Sequence, residues 1–243
     1  MVANTLYLKG LIFPGILFVL LWILSGRSRG FILLGGVSAA PLGLLFFTFM
    51  EVWTPGRIIP GNFGLEDLLF CFFSGGLTLA LVDRALMGSP SETPVTRQLQ
   101  KAFLVSLTGF GIILVLFRLG IKDYPNSYLA MGIMALLLVM IKRSLFKVFL
   151  AGAILFSITY VVLLILDFMA WPDLIRLWRM TNMSGILLGP IPVEDVIWAF
   201  LFGGTWPVII HFVSGRILVG KSTKNHGKAL KPRREYPAVK PST

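Results

Sequence analysis

Stretches of Leu, Ile, Phe and Val long enough to cross a bilayer recur along this chain, separated by short charged or glycine-containing breaks. A helix needs about 20 apolar residues to cross a hydrocarbon core of roughly 30 Å, where every backbone N–H and C=O must be satisfied within the protein. The weak alternation of a membrane barrel is absent, which leaves helices. Seven spans follow, at Leu6–Leu24, Phe31–Phe49, Leu65–Leu86, Ala102–Leu119, Tyr124–Ile141, Leu145–Leu166 and Val193–Leu218. The predicted class is an all-α, polytopic membrane protein. Only 14% of the 243 residues are charged, against about 25% in soluble domains, so no water-soluble domain is expected. The first stretch has neither a basic start nor a small-residue cleavage site and is read as a permanent span.

The net charge of +11 suggests an anionic partner, but eight of the 22 basic residues lie between Arg216 and Lys240, after the last span. That segment has no apolar periodicity and reads as a disordered tail near anionic headgroups, so nucleic acid is not an expected partner. The N-terminus and the loops after spans two, four and six carry six Lys and Arg, and the other side carries 16. By the positive-inside rule the N-terminus lies outside and the C-terminus in the cytoplasm. Cys71 is the only cysteine, which excludes an internal disulfide and a multi-cysteine metal site.

Two spans open on the same acidic motif. Leu65-Glu66-Asp67-Leu68-Leu69-Phe70 leads to Gly75-Gly76, and 128 residues later Val193-Glu194-Asp195-Val196-Ile197-Trp198 leads to Gly203-Gly204. The motifs open spans three and seven, an even step of four, so both pairs are expected at one membrane face. Spans one to three (1–88) and five to seven (124–219) would form parallel repeats joined by a linker with span four (89–123), followed by the tail (220–243). The glycine pairs fit close helix packing.

Carboxylates are costly at membrane depth, and a duplicated pair there points to chemistry. Phe70 and Trp198 each follow the motif glutamate by four residues, which puts an aromatic ring one turn below each acid. A carboxyl group among apolar neighbours and beside a second carboxyl can keep its proton near neutral pH and act as a general acid. Protonation of an alkene would give a carbocation that needs aromatic faces and the exclusion of water. The plainer alternative is that acids in a first helical turn answer the helix dipole and face water. A Mg²⁺ site for a diphosphate lacks its expected aspartate cluster, since Asp167 and Asp173 are six apart. The breaker-rich loops before the motifs carry Trp53, Trp171 and Trp178, which either fold over the site or form an interfacial belt. Gly109-Phe110-Gly111 lacks a nucleotide-binding context, and neither His211 nor His226 is expected to be catalytic.

At these residues the sequence resembles the membrane-embedded lycopene cyclase family, with both halves of the heterodimeric type in one chain. The family's Pro-x-Glu-Glu/Asp motif is matched by Pro192-Val193-Glu194-Asp195, whereas Gly64 replaces the proline in Gly64-Leu65-Glu66-Asp67. The resemblance implies closure of the acyclic end of a carotenoid such as lycopene into a six-membered ring, with no flavin, other cofactor or metal. It implies Glu66 and Glu194 as principal acid–base residues, with Asp67 and Asp195 supporting. Trp53, Phe70, Trp171, Trp178 and Trp198 are the expected substrate contacts. The bilayer and other carotenoid-pathway enzymes are the expected partners. A proton- or cation-coupled transporter and a non-catalytic polyene-binding subunit are the alternatives, and the ring type stays open.

Overall fold

The computed structural model describes residues 5–49, 53, 57, 58, 64–86, 95–121 and 123–215. Its helices are α1 (Leu6–Lys9), α2 (Ile12–Leu24), α3 (Arg29–Ala39), α4 (Leu65–Leu86), α5 (Val95–Arg118), α6 (Asp123–Ile141), α7 (Leu145–Ala170) and α8 (Val193–Ser214). Among the described residues seven segments are long and apolar enough to cross a membrane, in agreement with the all-α membrane class. The basic tail and most of the loop before α4 lie outside the described residues.

Several boundaries differ from expectation, three of them for a local reason, and the sixth span runs on to Ala170 rather than Leu166. The second span starts at Gly26, earlier than Phe31, and its second part is a 3₁₀ segment, Ala40–Phe49. Pro41 has no N–H to continue the α-helical ladder. Gly43 brings the segment onto the backbone of Asp67, where a Cβ would come within 2.6 Å of it. The fourth span starts about a turn early because Arg97, Gln98 and Lys101 extend the helix. The last span stops at Ser214, where Gly215 takes φ 65°, the left-handed conformation that ends helices.

Close packing at glycine builds two helix pairs. In the first, α3 lies on α4 with Gly35 and Ala39 against Gly75. In the second, α7 lies on α8 with Gly152 against the carbonyl of Gly203. A Cβ at Gly203 would stand 2.7 Å from Phe156, so alanine there would push the pair apart. Trp206 ties the pairs together by donating its indole N–H to the Gly35 carbonyl at 3.1 Å. The buried core follows this seam, with Ile32, Leu79, Val148, Phe156 and Ile210 almost fully enclosed.

Candidate active site

Both motif helices start at one end of the bundle and run side by side. Phe70 and Trp198, which occupy the same motif position, meet with ring centroids 5.4 Å apart. Tyr160 of α7 joins them, 5.4 Å from Trp198 and 6.4 Å from Phe70. Trp198 stacks on Phe202 at 5.0 Å, so the aromatic floor continues down α8. The one-turn spacing from acid to ring therefore converges on a single floor rather than two separate ones.

Above the floor, the two acidic pairs are held differently. In the first copy Arg57 donates from Nε to Asp67 Oδ2 at 2.7 Å, in an ion pair buried on both sides. The Gly64 N–H donates to the same oxygen at 2.7 Å, and the Ile58 N–H donates to Glu66 Oε1 at 2.7 Å. Proline at position 64 would lack this N–H, and a Cβ there would sit 2.6 Å from Glu66 Oε2, so a larger residue would have to displace the Glu66 carboxylate. Glu66 and Asp67 are almost wholly buried, and neither lines the large cavity described below.

In the second copy the Ser184 N–H donates to Glu194 Oε1 at 2.6 Å, the counterpart of the Ile58 bond. The residue before the donor is Arg57 in the first loop and Met183 in the second, and among the described residues no cation pairs with Asp195 as Arg57 does with Asp67. Pro192, the helix cap, cannot supply the N–H that Gly64 gives. Asp195 accepts a hydrogen bond from Trp178, but its buried Oδ2 has no partner among the described residues, and the same holds for Glu194 Oε2. A short hairpin, β1 (Leu187–Leu188) with β2 (Ile191–Pro192), turns at Gly189 with φ 63° and delivers the chain to α8. The hydroxyl of Tyr128 fixes the start of α8 by donating to the Glu194 carbonyl at 2.7 Å.

Glu194 and Asp195 open onto a cavity of about 1130 Å³. Ligand pockets usually hold about 300–1,000 Å³, so this one suits a large guest. Trp53, Phe70, Trp178 and Trp198 line it. Trp171 does not; it packs on Phe13 at 5.5 Å, on the side of α2. Trp53 and Trp178, one from each loop before a motif, are bridged through their backbones with rings 4.4 Å apart, and close the end of the cavity. His211 lies away from the cavity, with Nδ1 3.0 Å from the Pro207 carbonyl and its ring edge-on to Phe31.

Sequence reasoning did not single out Arg57, Tyr128, Tyr160 or Asp167 for the site. Arg57 had entered only as a loop charge, and no spacing rule links it to Asp67. Asp167 carried a usable signal, an acid inside the last turn of an otherwise apolar span, but had been weighed only for its distance from Asp173.

Fold and site together define a polytopic helical membrane protein with carboxyl groups facing an aromatic, largely apolar cavity. Residues 122–213, the stretch that holds the second motif, match the family model described as lycopene cyclase. No curated protein and no solved structure matches the chain.

Proposed function

We propose that the protein closes the acyclic end of a lycopene-type polyene into a six-membered ring by acid–base chemistry, with the second acidic pair as the reactive one. The carrying observation is that Glu194 and Asp195 face a large aromatic cavity, each with a buried oxygen that has no hydrogen-bond partner among the described residues. The match of the surrounding stretch to the lycopene cyclase family supports the same reading.

In this reading Asp195 gives its proton to the terminal double bond, leaving a tertiary cation. The next double bond attacks that cation through its π electrons, forming the ring C–C bond and moving the charge along the chain. A carboxylate then removes a proton next to the new cation, and the C–H electron pair becomes the ring double bond. The net change is an isomerisation, which calls for no redox partner. Tyr160, Phe70 and Trp198 face the reacting end, and aromatic faces stabilise cations by about 0.5–2 kcal/mol each. Glu66 and Asp67 hold the first loop in place through Ile58, Gly64 and Arg57, so that Trp53 reaches Trp178. This shifts the principal acid from the glutamates to Asp195.

The cavity also suits an elongated guest. Leu99, Phe103, Leu107, Phe110, Leu114 and Phe117 of α5 line it at three- and four-residue spacings. At 1.5 Å rise per residue they cover about 27 Å, close to the depth of the hydrocarbon core. Five of the six are exposed, and in this reading an apolar substrate enters from lipid along this side of the cavity. The count of basic residues supports a reading in which the acids lie at the outer face and α5 forms part of the substrate wall.

Production in a lycopene-accumulating bacterium followed by chromatography of the pigments tests the reading. Cyclic carotenoids are the expected outcome. Unchanged lycopene with the protein present in the membrane would count against it.

A further inference from the structure

Beyond the two motifs, a third carboxyl group faces the cavity. Asp167 sits in the last turn of α7, only 3% exposed, and lines the cavity wall with Tyr160 and Leu164. Its Oδ1 is buried with no hydrogen-bond partner among the described residues. Buried polar side-chain atoms are normally satisfied, and a solitary one at a cavity wall costs stability without an evident structural return. The Asp167 backbone carbonyl accepts from the Trp171 N–H at 2.7 Å, so the helix end is closed without the side chain.

Position gives the group its use. Asp167 and Asp195 lie on α7 and α8, the glycine-packed pair, and Tyr160 is within electrostatic range of both carboxyl groups. Tyr160 belongs to the floor formed with Trp198 and Phe70. A cation generated over that floor by one acid therefore has a second carboxyl on the wall of the same cavity. The cyclisation needs two proton transfers at different carbon atoms, and one carboxyl fixed to one helix faces only part of the reacting end.

We infer that Asp167 is a further catalytic residue, the base that removes the proton from the cyclised cation after Asp195 has supplied the first one; this rests on the cyclase reading above. The Asp195 O–H bond breaks as the new C–H bond forms, and the ring C–C bond closes. The C–H bond next to the cation then breaks toward Asp167 Oδ1, leaving its electron pair as the ring double bond. The protein ends with its proton moved from Asp195 to Asp167, and exchange with water between turnovers restores the starting state. The carbon facing Asp167 thereby sets where the ring double bond forms.

The test uses the full chain and its Asp167→Asn, Asp167→Glu and Asp167→Leu variants in the lycopene-accumulating bacterium, with membrane amounts matched by immunoblot. Absence of rings with the unaltered chain would defeat the cyclase reading itself. Given rings there, Asp167→Asn is expected to lower ring formation by about a hundredfold or more, the usual scale for loss of a general acid or base. Any residual product should have a changed proportion of double-bond isomers. Asp167→Glu should restore part of the activity, and purified Asp167→Leu should unfold at the same temperature as the unaltered protein or higher. Unaltered yield and isomer proportions in Asp167→Asn would overturn the inference. A lowered unfolding temperature in Asp167→Leu, with no rescue by glutamate, would overturn it too, by showing a structural role.

Discussion

The two acidic motifs are nearly the same in sequence and opposite in chemical condition. Asp67 receives the Arg57 guanidinium and the Gly64 N–H, while Asp195 receives the Trp178 indole and its Oδ2 has no partner among the described residues. Both glutamates take a backbone N–H from the preceding loop, Ile58 in one case and Ser184 in the other. The halves thus share the device that anchors the loop and differ in the device that neutralises the aspartate. Two positions account for the difference: glycine against proline before the helix, and arginine against methionine before the capping N–H. One copy has become an anchor and the other is left able to react. A buried ion pair contributes little net stability compared with an apolar replacement, so Arg57–Asp67 is better explained by the loop geometry it specifies.

Breaking the reactive copy should have the largest effect. Asp195→Asn is expected to reduce ring formation by about 10²- to 10⁴-fold with the protein still in the membrane, as measured by pigment chromatography and immunoblot. Full activity would return the principal role to the glutamates. Next comes the anchoring copy. Arg57→Met leaves Asp67 buried without its cation and should cost about 3–5 kcal/mol, seen as a fall in the unfolding temperature of the purified protein. Adding Asp67→Asn should recover part of that loss, whereas no recovery would mean that Arg57 acts through something other than this pair. The smallest change makes the copies more alike. Pro192→Gly would offer Asp195 a backbone N–H of the kind Asp67 has, and one charge-assisted bond of about 1.5–3 kcal/mol corresponds to roughly tenfold or more in activity. Unchanged ring formation would show that the proline is there for the helix start alone.

The comparison also explains what could be read without coordinates. Composition and apolar run length determined the membrane class and the seven spans, because a segment's solubility in hydrocarbon depends on its own residues. Helical periodicity determined that Phe70 and Trp198 stand one turn below the acids, because i and i+4 share a face in any α-helix. The glycine pairs were likewise legible as places of close packing. Charge compensation was not. Arg57 reaches Asp67 through the path of a loop, Asp167 faces the cavity through the rotation of α7, and Trp171 turns toward Phe13 rather than the site. Sequence by itself determined two similar acidic pairs, set apart by glycine against proline before the helix, in a helical membrane protein. Only the tertiary structure decided which pair is neutralised and which faces the cavity, because a carboxyl group's chemistry depends on neighbours brought to it by other segments.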